Sequence, residues 1–370
     1  MSKYSLISEV IGEKRYQSLR LFGIQERTFI RLLALFLVLA AVFYPYPKIA
    51  MWLGFMLAGY SAIANDSIQS IGTFIASNGD QKWWKLWLYI GGIFVVTVFY
   101  SWIMYDGDVS FQRLNSKGFS ESPTEFHFLQ IVAPIILLFI TRLRMPVSTT
   151  FMLLSCFSSS SEGIIGVTEK SLLGYFIAFT VAFLIWYSFS GLLNRLVRGE
   201  SHPFWRTAQW LISGWLWSMW ITHDAANIAI FLNRSLGVWD FIFFASFIFL
   251  GLGILFYLRG DKIQSIVKEK SQVEDVRTAS VIDLVYALIL FVFKEWSNIP
   301  MSTTWIFLGL LGGREIAIQF SKNLSTGRSA GFTFKMIGRD ILYATIGLII
   351  SILIALAVNP NLQKELFGFD

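Results

Sequence analysis

The chain has 370 residues, of which 55% are hydrophobic and only 15% are charged, and its formal net charge is +6. A soluble protein of this length carries about 25% charged residues, so the composition excludes an ordinary soluble protein. The basic residues crowd into short loops, which argues against a nucleic-acid partner. The single cysteine, Cys156, excludes an intramolecular disulfide, and three scattered histidines offer no metal cluster.

Eleven apolar segments follow a mixed-charge stretch of 28 residues, which resembles the start of an uncleaved anchor more than a secretory signal. Several segments approach the ~20 residues that cross ~30 Å of hydrocarbon, and a membrane segment must satisfy its own backbone hydrogen bonds. The predicted fold is therefore all-α, a polytopic membrane protein. The segments are 29–43, 49–78, 86–104, 126–141, 146–165, 171–194, 206–232, 238–258, 279–296, 300–318 and 337–358.

Two polar phrases each occur twice within this apolar sequence. The first Asp phrase runs from Asn65 to Gln69, and a similar second Asp phrase runs from His223 to Asn227. The first Ser-Thr-Thr phrase runs from Pro146 to Thr150, and a similar second one runs from Pro300 to Thr304. Such side chains are costly inside a bilayer unless they serve a function. Their matching order predicts two repeats that meet around one polar site, as in many secondary transporters.

The distribution of positive charge predicts an orientation and a symmetry. With the N-terminus cytoplasmic and every segment crossing once, the inside regions hold 23 lysines and arginines and the outside regions 7, in accord with the positive-inside rule. The two Asp phrases are then five crossings apart, so the second repeat is inverted. The predicted divisions are 1–48 (a cytoplasmic segment and an extra membrane helix), 49–194 (repeat one), 206–358 (repeat two) and 359–370 (a tail).

The segments that carry the phrases have unusual predicted shapes. Segments 49–78 and 206–232 are long and should be broken near their Asp phrases. Segments 146–165 and 300–318 contain the Ser-Thr-Thr phrases near their starts, and each is either a broken span or part of a re-entrant hairpin. Because proline fits the first turn of a helix, the residues that follow it should present hydroxyls and free backbone N–H groups at the positive end of a helix dipole.

A helix start of this kind is a ready anion site, although simple hydrogen bonding between helices is the alternative explanation. Amide and hydroxyl groups of the first Asp helix can orient the same ligand. The candidate anion-binding residues are Ser148, Thr149, Thr150, Ser302, Thr303, Thr304, Gln69 and Thr73.

Asp66 and Asp224 would repel an anion, so they indicate a positively charged partner. Sodium is a hard cation that suits carboxylate, amide and hydroxyl oxygens, and a buried carboxyl can instead carry a proton. Asn65 and Asn227 complete the candidate cation site. His223 occupies the position of Asn65 in the second phrase, where it is either part of a proton relay or a neutral hydrogen-bond donor.

These phrases resemble the inorganic phosphate transporter (PiT) family of secondary carriers, whose repeats carry a G-A-N-D-x-A-N-type and a P-V-S-T-T-type phrase. The match covers about 49–358 in order. The resemblance implies uptake of phosphate coupled to sodium or protons, with the matched Asp, Asn, Ser and Thr positions lining the site. Some relatives carry sulfate, so sulfate or another oxyanion remains the first alternative substrate.

The expected activity is therefore symport of a small oxyanion, with sodium or a proton as coupling ion and no other cofactor. A non-transporting membrane sensor or scaffold is the second alternative, and a membrane enzyme is not expected because no convincing nucleophile and base are present. The expected partners are inorganic phosphate and the lipid bilayer, and a homodimer is considered. The expected location is the plasma membrane, as in a bacterial inner membrane, with the N-terminus cytoplasmic.

Overall fold

A computed structural model of the protein describes residues 27–116, 118–143, 145–258, 275–321, 329–359 and 362–363. Every regular element in these ranges is helical, which confirms the predicted all-α class. The α-helices are α1 (Arg27–Phe43), α2 (Pro47–Ser61), α3 (Ser67–Ser77), α4 (Trp83–Met104), α5 (Phe128–Arg142), α6 (Ser161–Ser188), α7 (Ser190–Val197), α8 (Phe204–Ala229), α9 (Val238–Tyr257), α10 (Val276–Trp296), α11 (Thr303–Phe320) and α12 (Ala330–Val358). Three short elements complete the set, two π-helical turns (Ala62–Asp66, Thr150–Leu154) and a 3₁₀ turn (Arg113–Asn115).

Five of these helices, α4, α6, α9, α10 and α12, are long and apolar enough to cross a membrane. Their surfaces carry many exposed large apolar side chains, as expected for a protein that faces lipid. The chain is therefore an integral membrane protein. The predicted cytoplasmic stretch before Arg27, residues 259–274 between α9 and α10, and most of the predicted tail lie outside the described residues.

The predicted interruption of segment 146–165 is present, but the predicted division between segments 146–165 and 171–194 is wrong. Residues 146–165 do not form one helix, because the π turn Thr150–Leu154 is followed by a loop and α6 begins only at Ser161. At 1.5 Å per residue, five residues rise far less than the ~30 Å of hydrocarbon. Ser160 caps α6 by accepting from the N–H of Gly163 at 3.4 Å, and the resulting 28-residue helix runs through the predicted loop around Lys170.

The predicted break at the second Asp phrase is also wrong. Helix α8 runs without interruption through residues 223–227, and its hydrogen-bond ladder continues to the N–H of Ile230, which donates to the carbonyl of Ala226 at 3.0 Å. The first Asp phrase instead lies at the π turn Ala62–Asp66, where one wider turn joins α2 to α3 without breaking the helical path. Backbone pairing is thus retained at both phrases, as the apolar surroundings require.

The order of elements is repeated along the chain. A helix with an Asp phrase, an apolar helix, a further helix, a Ser-Thr-Thr phrase and a long apolar helix appear first between Pro47 and Ser188 and again between Phe204 and Val358. Helix α1 precedes the first set and has no counterpart in the second. The relative inversion of the two sets and the exact bounds of the repeats stay predictions.

Helices α6 and α11 approach each other closely, which positions the start of α11. A Cβ added at Gly309 would lie 2.3 Å from the carbonyl oxygen of Tyr175, and one at Gly313 would lie 2.1 Å from that of Phe179. Only glycine allows such backbone contact, and small residues commonly line helix interfaces in membranes.

We therefore expect Gly309→Ala and Gly313→Ala to push α11 away from α6 and destabilise the protein by about 1–3 kcal/mol each, the usual cost of overpacking. Gly338→Ala is the matched control, because a Cβ at Gly338 in α12 meets no atom within 4 Å. Thermal melting of the purified protein in detergent measures the effect. Equal melting temperatures for all three variants would show that the two helices do not depend on this contact.

Candidate functional site

The first carboxylate of the site belongs to Asp66, at the end of the π turn, with 1% of its surface exposed. The hydroxyl of Thr149 donates to its Oδ2 in a very short hydrogen bond, and the side-chain amide of Asn65 donates to its Oδ1 at 3.0 Å. The first Asp phrase and the first Ser-Thr-Thr phrase are therefore in direct contact.

The second carboxylate belongs to Asp224 in α8, which is 2% exposed. The amide of Asn227, one helical turn later, donates to its Oδ1 at 2.7 Å, and the side chain of Thr303 lies near the same carboxylate. Thr303 occupies the position in the second Ser-Thr-Thr phrase that Thr149 occupies in the first. A threonine of the Ser-Thr-Thr phrase therefore lies beside the aspartate in each half of the chain.

Two further hydrogen bonds connect the halves in an equivalent way. The amide of Gln69, three residues after Asp66, donates to the hydroxyl of Thr304 at 3.2 Å. The amide of Asn227, three residues after Asp224, donates to the hydroxyl of Thr150 at 3.1 Å. Each Asp phrase therefore contacts both Ser-Thr-Thr phrases, and equivalent positions of the phrases form the two contacts between the halves.

The aromatic residues that follow the Ser-Thr-Thr phrases also meet. The rings of Phe151 and Trp305 pack edge to face, with centroids 5.6 Å apart, and both are buried. These residues hold equivalent positions in the two phrases, so the phrases also meet at the residue that follows each threonine pair.

The prolines do not occupy the first turn of a helix, which corrects the expectation from the sequence. Pro146 and Pro300 lie in extended segments, and the helical residues begin three positions later. Serine marks the helix start instead, because the hydroxyl of Ser302 accepts the N–H of Trp305 and that of Ser148 accepts the N–H of Phe151, both at 3.2 Å. Serine is a favoured N-cap, since its oxygen satisfies an N–H that has no partner within the helix.

Several oxygens of the site have no hydrogen-bond partner although they are buried. They are Oε1 of Gln69, Oδ2 of Asp224 and Oδ1 of Asn227. Unsatisfied buried oxygens are costly, so they indicate a partner that supplies positive charge or a proton. Carboxylate and amide oxygens are ligands that hard cations accept, so the residues present fit a sodium ion. No group of three or more His, Cys, Asp or Glu side chains suited to a transition metal occurs in the described part of the chain.

Two predicted residues lie outside this hydrogen-bonded set. The hydroxyl of Thr73 donates to Asp283 at 2.7 Å, and Ser213 donates to the other oxygen of the same buried carboxylate at 2.5 Å. Nε2 of His223 lies 2.9 Å from the carbonyl oxygen of Leu290, while its Nδ1 has no partner. Asp283 therefore joins α10 to α3 and α8, a contact that its sequence position did not reveal.

Two buried basic residues near the site were missed by the sequence reasoning. Arg113 is 1% exposed and Lys170 is 8% exposed. Lys170 was assigned to a short loop, whereas a lysine within a continuous apolar helix would have been a recognisable signal. Arg113 lies in an acidic, polar connection between α4 and α5, and nothing in that stretch distinguishes it from a solvated residue.

The sequence of this chain matches no known family, whereas its fold matches a solved structure. No protein-family model matches the sequence, and no curated protein matches it. A solved structure of a sodium-dependent phosphate transporter superposes with a TM-score of 0.54 over 84% of this chain and 98% of that chain, at 16% sequence identity.

The chain has the fold of a sodium-dependent phosphate transporter. The predicted resemblance is thereby confirmed at the level of fold, and the architecture is that of a polytopic transporter. An identity of 16% leaves the substrate, the coupling ion and the role of each site residue to be argued from this chain's own side chains.

Proposed function

We propose that the protein is a secondary active transporter that takes up inorganic phosphate together with sodium ions or protons. The observation that carries this proposal is the paired arrangement of the two Asp phrases and the two Ser-Thr-Thr phrases in one buried cluster, connected by hydrogen bonds between equivalent positions. A cluster formed by both halves of the chain is the expected place for a site that alternating access exposes to each side in turn.

In this proposal Asp66 and Asp224 recruit the cations. The oxygens without partners on Asp224 and Asn227 add a charged and a neutral ligand for the same ions. Sodium fits this donor set, and a proton on either carboxyl would satisfy the same requirement for positive charge.

The hydroxyls and first-turn N–H groups bind the anion. At the start of α11 the N–H of Trp305 is already capped by Ser302, while the N–H groups of Thr303 and Thr304 precede any intrahelical partner. Together with the threonine hydroxyls, these donors and the positive end of the helix dipole favour a tetrahedral oxyanion.

One of these hydrogen bonds supplies a mechanism of coupling. Thr149 donates its hydroxyl to Oδ2 of Asp66. A cation on Asp66 competes for the oxygen that this hydroxyl now occupies, so the hydroxyl of Thr149 becomes able to donate to an anion. Cation binding thereby neutralises the repulsive charge and supplies a donor, which makes anion binding depend on the cation.

A buried acceptor group favours phosphate over sulfate as the substrate. At neutral pH phosphate carries at least one P–OH group and needs a hydrogen-bond acceptor, whereas sulfate carries no proton. The side-chain carbonyl oxygen of Gln69 is buried and without a partner, next to the hydroxyl of Thr304. A site with such an acceptor discriminates against a ligand that leaves it unsatisfied.

The test is uptake of radiolabelled phosphate into proteoliposomes, with sodium and pH gradients imposed separately and sulfate added as competitor. We expect uptake with one of the two gradients and weak competition by sulfate. Strong competition by sulfate would reassign the substrate. Specific phosphate binding without flux under either gradient would instead support a membrane sensor.

A further inference from the structure

Arg113 and Lys170 form a pair of buried cations beside the second Ser-Thr-Thr phrase. Nζ of Lys170 donates to the carbonyl oxygens of Ser297 and Ile299 at 2.7 and 2.6 Å. Nη1 of Arg113 points at the same two oxygens, at 3.4 and 3.5 Å. The two positive groups, from separate parts of the chain, thus converge on one small region of backbone.

The connection between α4 and α5 has a shape that presents Arg113. The carboxylate of Asp108 accepts the N–H groups of Ser110 at 2.7 Å and Gln112 at 2.5 Å. Phe111 and Gln112 both have left-handed backbone conformations, with φ of 55° and 59°. Left-handed conformations are unfavourable for side-chain-bearing residues and persist where the surroundings enforce them, often at functional sites.

Arg113 is held next to the proposed substrate site. Its Nε donates to the carbonyl of Thr222 at 2.5 Å, two residues before Asp224, and the two side chains attract each other electrostatically. Lys170 is followed by Ser171, whose hydroxyl accepts the N–H of Ser302 at 2.8 Å. The pair therefore contacts both the second Asp helix and the segment that leads into α11.

No carboxylate in the described ranges lies in direct contact with either cation, although Asp224 attracts Arg113 from a greater distance. In the described ranges neither side chain forms an ion pair with a carboxylate, and both donate only to neutral carbonyl groups. The two like charges also repel each other. Removing an unpaired cation from water costs several kcal/mol, and apolar residues would pack the same space without that cost. Stability alone gives no reason for the pair.

Both side chains retain donors for an anion. An ammonium group has three N–H donors and a guanidinium has five, and the guanidinium remains charged at all physiological pH values. Lys170 uses two donors on the carbonyls of Ser297 and Ile299, and Arg113 uses Nε and Nη1, so one N–H of Lys170 and the Nη2 group remain.

The pair also lies close to a surface. Ile299, whose carbonyl both cations approach, is 39% exposed, whereas the cations themselves are buried.

We propose that Arg113 and Lys170 form a binding position for a small oxyanion next to the second Ser-Thr-Thr phrase. The identity of this anion rests on the proposed function. The two resident charges attract the anion and bind it by charge-assisted hydrogen bonds. They also offset the charges of Asp66 and Asp224, so the buried cluster does not depend on coupling ions alone to accept an anion.

The experiment measures phosphate and sulfate binding to the purified full-length protein by calorimetry. Lys170→Gln and Arg113→Gln each remove one charge and should weaken binding of the accepted anion roughly 10-fold or more, as expected for loss of a charged hydrogen bond. Lys294→Gln is the matched control, because Lys294 is paired with Glu295 at 3.0 Å and is partly exposed. It should bind like the wild type.

The outcomes separate this position from the proposed function. If the wild type binds an anion and both neutral variants bind it equally well, the binding position is wrong and the proposed function stands. If the wild type binds neither phosphate nor sulfate, both the binding position and the proposed function are wrong. If the neutral variants melt before binding is measured, Arg113→Lys and Lys170→Arg keep the charges but change their reach. Wild-type affinity in both would overturn the binding position, because contacts at hydrogen-bond distance cannot survive both changes.

Discussion

Asp66→Asn and Asp224→Asn should each lower coupled phosphate uptake roughly 100-fold or more while the protein stays folded. Loss of one charged partner from a buried pair costs about 2–5 kcal/mol, which corresponds to a change of this size in cation affinity. Asparagine keeps the shape of the side chain but replaces a negative ligand by a neutral amide. Uptake into proteoliposomes under a sodium or a pH gradient measures the loss, and melting in detergent checks the fold.

Asp80→Asn is the control for these variants. Asp80 is 53% exposed and forms an ion pair with Arg206 at 2.7 Å at a helix connection. Exposed pairs of this kind contribute about 0–1 kcal/mol, so its uptake should equal that of the wild type. Normal, cation-dependent uptake by both site variants would refute the role assigned to the two buried carboxylates.

Thr150→Val and Thr304→Val should weaken phosphate affinity about 10-fold each, with a smaller effect on the maximal rate. Valine has the shape of threonine without the hydroxyl, so each variant removes one hydroxyl of the proposed anion site and, with it, the acceptor for the amide of Asn227 or Gln69. An unsatisfied buried amide costs about 1–3 kcal/mol. The dependence of uptake on phosphate concentration gives the affinity.

Thr333→Val separates this effect from a general loss of stability. The hydroxyl of Thr333, fully buried in α12, also accepts a glutamine amide, that of Gln319 at 3.0 Å. The control therefore loses the same kind of hydrogen bond away from the site, and its melting temperature should fall while its affinity for phosphate stays unchanged. A similar loss of affinity in all three variants would mean that the two site hydroxyls do not contact the anion.

The shared fold and the geometry of the site support different conclusions about this protein. The similarity to the sodium-dependent phosphate transporter establishes how the helices are arranged, at 16% identity. The specific proposals come from contacts that this chain makes itself, above all the three hydrogen bonds that join Asp66, Gln69 and Asn227 to threonine hydroxyls. Arg113 and Lys170 add positive charge at a position where the phrases themselves place none.

The sequence by itself determined the helical class, the membrane environment and the order of the four polar phrases. These are local properties, because the apolar length of a segment and the cost of a polar group in hydrocarbon depend on composition alone. The same reasoning selected Asp66, Asp224 and the threonines that contact them, since the duplicated phrases were recognisable without knowing how the helices pack.

Tertiary structure alone decided the continuity of α8 through Asp224, the extension of α6 past Lys170, and the pairing of Thr73 with Asp283. It also decided that Lys170 and Arg113 share two carbonyl groups. Each outcome depends on which groups from distant parts of the chain satisfy one another once water is excluded. A buried donor or acceptor binds the partner that packing brings to it, and sequence spacing does not specify that partner.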